Sequence, residues 1–328
     1  MDSPSRVRRL NVGRLLNAVG PVLGLLLVLG IFSVDPVVRS HLFTGTNCKI
    51  ILIQTVIVAI GALGMTMIIV SGGIDLSVGS VVALASVVGA TALLKGHSPA
   101  TAIGLTIGVG ALVGLINGLI IAGFRMMPFI VTLGMMGVAR GVAKWLAGNQ
   151  TVNAPESPVN NLMKMFDPDH LFPLPLGVWI AMLLAAVMAV VMLRTIFGRY
   201  VFAIGSNEAT ARLCGIRVPL MKVAIYTLAG VFFGLAGLMQ LSRLTQGDPT
   251  VAIGLELDII AAVVIGGASL SGGTGSISGS MIGALIMAVL RNGSNQMGWR
   301  NYVQEIIIGG VIILAVGLDK FRQRKGTP

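Results

Sequence analysis

Ten apolar stretches punctuate this chain, and their lengths decide what it can become. They cover approximately residues 18–34, 50–70, 78–94, 100–123, 128–147, 177–193, 219–242, 256–270, 276–290 and 303–318. A helix that crosses the hydrocarbon core needs about 20 apolar residues, since in lipid every backbone polar group must be satisfied within the segment itself. Ten such segments with short connections consume nearly all 328 residues. The expected fold is therefore all-α: a polytopic membrane protein of about ten transmembrane helices, one domain over 1–328, with no room for a sizeable soluble domain. Composition agrees, because only 11% of residues are charged, about half the share usual in a soluble domain.

The first stretch follows Arg6, Arg8, Arg9 and Arg14, a layout shared by signal peptides and membrane anchors. No small-residue cleavage site closes it and more apolar stretches follow, which favours an anchor. Lys and Arg accumulate in cytoplasmic loops. With a cytoplasmic N-terminus, fourteen of the 23 Lys and Arg fall on that side. They lie in the basic segment 1–17, at Arg125, in and beside the loop 195–218, and in the tail 319–328, and both termini are then cytoplasmic. The net charge of +11 thus reads as membrane orientation rather than a nucleic-acid surface. The largest outer excursion is expected at 148–176, where Glu156, Asp167, Asp169 and five prolines gather; an external partner could rest there.

Several chemistries are excluded or disfavoured. A phosphate-binding P-loop needs a Gly-Lys step so that the Lys reaches the phosphates, and no Gly-Lys dipeptide occurs. Leu270-Ser271-Gly272-Gly273 imitates the signature of ABC ATPases, but without a P-loop or a soluble domain the match has no function. Cys48 and Cys214 are expected on opposite membrane sides, so they cannot pair, and His41, His97 and His170 read as single loop residues without a metal-sharing partner.

Two glycine-broken segments stand out. In Ser71-Gly72-Gly73-Ile74-Asp75-Leu76-Ser77-Val78-Gly79-Ser80 a carboxylate sits beside apolar runs, where it costs several kcal/mol unless it faces a cavity or a partner. Asp75 therefore either lines a translocation pathway or caps the next helix, and the two roles can coexist. Ser271-Gly272-Gly273-Thr274-Gly275-Ser276-Ile277-Ser278-Gly279-Ser280 matches it in its small residues at an offset of 200. Paired broken helices mark substrate sites in many transporters, although a glycine-rich chain can produce such a match by chance. Small-residue spacing at Gly104, Gly108, Gly110, Gly114 and Gly118, at Gly230 and Gly234, and at Gly275, Gly279 and Gly283 predicts close helix packing. Gln54, Asn117, Thr132, Gln240, Asp258, Asn292, Gln296 and Glu305 are polar groups expected within or beside spans, suited to bonding neighbouring helices or a hydroxyl-rich solute.

Between the sixth and seventh spans, Ser206 or Asn207 can cap a short helix, Glu208 sits in its first turn, and Gly215 can close it in the left-handed conformation. With Ala209, Leu213 and Ile216 beside Arg212 and Arg217, such a helix could dock into a groove of a soluble partner or lie passively at the lipid surface.

Taken together, these segments make the chain resemble the permease subunits of ABC importers for monosaccharides of the ribose, xylose, arabinose and galactoside type. The resemblance runs from the first span to the last. It is carried by Gly64-Met65-Thr66 leading into 71–80, by Pro128-Phe129-Ile130-Val131-Thr132-Leu133-Gly134, by Gly198-Arg199 with Ala203-Ile204-Gly205-Ser206-Asn207 and Gly215-Ile216, and by Glu256-Leu257-Asp258 through Gly266-Gly267. It implies a subunit that is not itself an enzyme, lodged in the bacterial cytoplasmic membrane with a pathway where two permease copies or paralogues meet. It also implies a cytoplasmic ATPase that uses ATP and Mg, and an extracytoplasmic sugar-binding protein. Asp75, Ser77, Asn117, Thr132 and Asp258 are the expected pathway or gate residues. Gly198, Arg199, Gly205, Asn207, Glu208, Arg212 and Gly215 match the family's ATPase-contacting loop, with Cys214 where many relatives have Ser.

Overall fold

A computed structural model describes residues 12–164 and 174–326. Arg6, Arg8, Arg9, Asp167, Asp169 and His170 lie outside the described residues. In chain order the elements are α1 (Val12–Ser33), α2 (Pro36–Leu42), α3 (Gly45–Val70), α4 (Val78–Leu94), α5 (Pro99–Gly123) and α6 (Pro128–Leu146). Strand β1 (Val152–Asn153) and a 3-10 turn (Pro158–Met163) precede α7 (Leu176–Arg194), α8 (Ile196–Ser206), α9 (Glu208–Leu213) and α10 (Val218–Leu244). Strand β2 (Gln246–Gly247), α11 (Leu255–Ile265), α12 (Ile277–Gln296) and α13 (Asn301–Gly326) complete the chain. Each of the ten expected stretches coincides with a helix. Among the described residues, five of those helices, α3, α5, α6, α7 and α10, are long and apolar enough to cross a membrane by length and composition. The protein is a polytopic, almost wholly helical membrane protein.

Helix α3 forms the axis of the molecule. It is apolar on every face, and every residue from Thr55 to Val70 is buried, as expected of a helix enclosed on all sides. Helices α7, α8, α10, α11 and α12 pack around it. Farther out, α1, α5, α6 and α7 turn large apolar side chains such as Leu27, Leu112, Val138 and Leu183 outward, a lipid-facing surface.

Small residues set the helix spacing where their pattern predicts it. On α5, Gly110, Gly114 and Gly118 meet the backbone of α10, and a Cβ on Gly114 would come within 2.2 Å of the Tyr226 carbonyl oxygen. Gly104 and Gly108 face open space instead. Gly279 and Gly283 seat α12 against Gly266 and Ala262 at the end of α11.

Three local structures differ from expectation, each for an identifiable reason. The stretch 256–270 is helical only to Ile265, because Gly267 turns left-handed (φ +92) and the Ala268 N–H bonds back to Val263. At a rise of about 1.5 Å per residue, α11 alone is too short to cross the bilayer. The segment before it is held by Arg140 of α6, whose guanidinium donates to the carbonyls of Pro249 (2.8 Å) and Val251 (2.6 Å). Residues 196–206, expected as loop, form α8, capped by Thr195 and burying Gly198, Val201 and Ile204. Helix α2 starts at Asp35, whose carboxylate accepts from the Val37 and Val38 N–H groups ahead of Pro36 at the first position, so His41 is helical rather than in a loop. After α6, β1 pairs with β2, and the Ser242 hydroxyl accepts from the Met163 N–H and donates to the Asn160 carbonyl.

Candidate functional site

The five expected pathway residues separate into two places. Helix α3 ends in a left-handed Gly72 (φ +85), with Gly73 N–H bonded to Ile68 and Gly72 N–H to Ile69, the paired closure typical of a glycine-terminated helix. The chain then runs unwound to α4. Asp75 sits in this connection, and its Oδ1 accepts from the Ser77 N–H (2.7 Å) and the Ser77 hydroxyl (2.6 Å). Asn117, from α5, donates to Ser77 Oγ at 3.2 Å and lies 3.5 Å from Asp75 Oδ2. Thr132, from α6, accepts from the Leu76 N–H and donates to the Ile74 carbonyl. Asp75 is 1% exposed, and Ser77, Asn117 and Thr132 are fully enclosed. Two more polar atoms are buried here without a partner: Asn117 Oδ1 and the Tyr226 hydroxyl, which lies beside Gly73.

Asp258 lies elsewhere, in the wall of a cavity of about 310 Å³ formed by α3, α10, α11, α12 and α13 together with the segment before α11. Its carboxylate pairs with Arg291 of α12. Gln54, Gln240, Arg243, Asn295 and Gln304 line the same space. The Gln304 amide donates to Asn295, and Gln54 Oε1 is buried without a partner. The volume falls at the small end of ligand pockets, roughly 300 Å³ upward. Amide and guanidinium donors with a carboxylate acceptor, converging on a partly open cavity, can exchange hydrogen bonds with a hydroxyl-rich solute. Gln54, Gln240 and Asp258 were visible in the sequence as polar groups in apolar surroundings. Arg243, Arg291, Asn295 and Gln304 were missed as site residues, because each sits near the end of its helix, where a polar residue is unremarkable. Asn292 and Gln296 instead donate to Asn47 Oδ1, both at 2.9 Å, and tie α12 to α3; Glu305 is exposed.

A third group occupies the connection between α7 and α10. Asn207 caps α9 through its side chain, which accepts from the Thr210 N–H at 2.9 Å, and Gly215 closes it with φ +82. Glu208 accepts from Arg212 (2.5 Å) and from Lys222 of α10 (2.8 Å). Partial burial pushes the Glu208 carboxyl up, but these two hydrogen bonds and charges outweigh it and hold it below the usual carboxylate range. Leu213 is 88% exposed, and Arg199, Ala209 and Arg212 are also exposed. Gly198 lies tight against the Met192 carbonyl of α7, while Gly205 packs into the two glycine turns described below.

Span-length helices packed by small residues surround a polar cavity. Residues 47–316 match the family described as branched-chain amino acid transport system / permease component, and the chain belongs to this family. It is 39% identical over 299 residues to the ribose import permease protein RbsC of Escherichia coli K12, covering 91% of this chain and 93% of that protein. It is 40% identical to RbsC of Bacillus subtilis strain 168, covering 95% and 96%. With the fructose import permease protein FrcC of Rhizobium meliloti it shares 36% identity over 90% of this chain and 84% of that one. No solved structure matches the chain.

Proposed function

We propose that this chain is the membrane-spanning permease subunit of an importer that carries a monosaccharide across the bacterial cytoplasmic membrane, driven by ATP hydrolysed in a separate subunit. The observation that carries the reading is the cavity around Asp258, where neutral amides outnumber charges, in a chain whose relatives are named ribose and fructose import permeases. Sugar hydroxyls both donate and accept, and Gln54, Gln240, Asn295 and Gln304 offer both functions at fixed positions. Asp258 and Arg291 line the route. Asp75, Ser77, Asn117 and Thr132 hold the turn between α3 and α4.

In this reading both termini are cytoplasmic, and α9 with Arg199, Asn207, Glu208, Arg212 and Gly215 meets a cytoplasmic ATPase that binds ATP and Mg, while Gly198 and Gly205 seat α8 behind it. A second permease copy or a paralogue completes the pathway, and an extracytoplasmic binding protein delivers the sugar. The chain supplies no energy of its own. Reconstituted alone into liposomes, it accumulates no solute under a sodium or proton gradient. With the ATPase, ATP-Mg and binding protein present, it accumulates a monosaccharide that is not competed by leucine, isoleucine or valine. Gradient-driven accumulation by the chain alone contradicts the proposal, and competition by the amino acids reassigns the cargo.

A further inference from the structure

The two glycine-broken turns, far apart in sequence, touch each other, and the end of α8 is wedged between them. Gly272 is left-handed like Gly72, both at φ +85. A Cβ on Gly272 would meet Gly72 Cα and N at 3.0 Å and the Gly205 carbonyl at 2.7 Å. The Gly273 N–H donates to the Val70 carbonyl at 2.8 Å, bonding the second turn to the end of α3. Gly205 presses on that bond from the side: a Cβ there would lie 1.7 Å from Val70 O and 2.7 Å from Gly273 N. All of these neighbours are backbone, so no side-chain rotation can relieve an added methyl group.

What the three segments lead to gives the contact its meaning. Gly205 is one residue from the end of α8, and Asn207 both ends α8 and caps α9, so no slack separates the junction from the exposed helix. The first turn continues into the Asp75 connection and α4. The second joins α11 to α12, the helices that carry Asp258 and Arg291 into the cavity. We infer that Gly205 is a positioning residue for transport: it locks α9 to both glycine turns as one body, so that displacement of α9 is delivered to the helices bearing the cavity's ion pair. This rests on the importer reading, with α9 as the ATPase-facing element.

The test uses the complex of the chain with its ATPase in liposomes. Gly205→Ala must push α8 off both turns. The expected result is an assembled complex that still hydrolyses ATP but moves an order of magnitude less sugar per ATP; an unchanged ratio overturns the inference. A second measurement leaves the junction intact. Spin labels are placed on native Cys214 and on Thr274→Cys, both exposed, with Cys48→Ser removing the other thiol. Their separation should stay the same between nucleotide-free and ATP-bound complexes, whereas a shift between those states overturns the single-body link, including where the Gly205→Ala chain fails to accumulate. Absence of ATP-dependent uptake by the unsubstituted complex would instead be a failure of the importer reading.

Discussion

Among the described residues, two carboxylates are enclosed in the membrane-spanning body, and the protein holds them in opposite ways. Asp75 is satisfied by its own turn: Ser77 supplies two donors from two residues away, and Asn117 and Thr132 close over it from α5 and α6. Asp258 is satisfied from a distance, by Arg291, 33 residues along the chain on a different helix, and that arginine is 46% exposed toward the cavity. The first arrangement is local, neutral around the charge and sealed. The second is assembled from separate helices and open on one side. A charge buried in its own turn fixes a backbone conformation, whereas a charge paired across an open cavity can exchange partners with whatever enters.

Substitutions at the two sites should therefore fail differently. Asp75→Ala is expected to have the largest effect, on stability. It strands the buried Ser77 N–H and hydroxyl at about 1–3 kcal/mol each, and the checks are membrane accumulation and the thermal unfolding midpoint in detergent. Next comes Asp258→Asn, which keeps shape but removes the ion pair. With Arg291 46% exposed the pair contributes only about 0–1 kcal/mol to stability, so uptake should fall while the unfolding midpoint moves much less than for Asp75→Ala. The smallest effect belongs to Asp75→Asn. Its carbonyl still accepts from Ser77, and the orphaned Asn117 Oδ1 can turn to accept the new amide, so both uptake and stability should stay near those of the unsubstituted protein. The comparison breaks if Asp75→Asn abolishes uptake at normal accumulation, since a purely structural carboxylate does not need its charge.

Much of this architecture was legible in the sequence, because hydrophobic run length is a local property. The ten apolar stretches became helices, and Asn207, Glu208 and Gly215 took the cap, first-turn and left-handed closing positions their chemistry dictates. What stayed hidden depends on contacts between distant segments. Asp75 and Asp258 look alike in the sequence, as single acids in apolar surroundings, and only the helices folded over them separate their environments. The cavity gathers Arg243, Arg291 and Gln304 from three helices, and no spacing rule connects them. Gly205 carries no local mark either, since its φ is not left-handed; its need for glycine comes entirely from Val70 and Gly273. The missed α8 buries Val201 and Ile204, an apolar face too short and too interrupted by Gly198, Arg199 and Gly205 to register as a span.

The sharpest test of the account compares one new thiol in each region, with Cys48 and Cys214 replaced by Ser. Asn295→Cys lines the cavity and Ser77→Cys lies in the sealed cluster. A water-soluble thiol reagent applied to the assembled, working complex should modify the cysteine at 295, more slowly when sugar-loaded binding protein is present, and should leave the cysteine at 77 untouched until the protein unfolds. Sugar-dependent protection at 77, with an inert cysteine at 295, would place the solute route through the Asp75 turn and contradict the account.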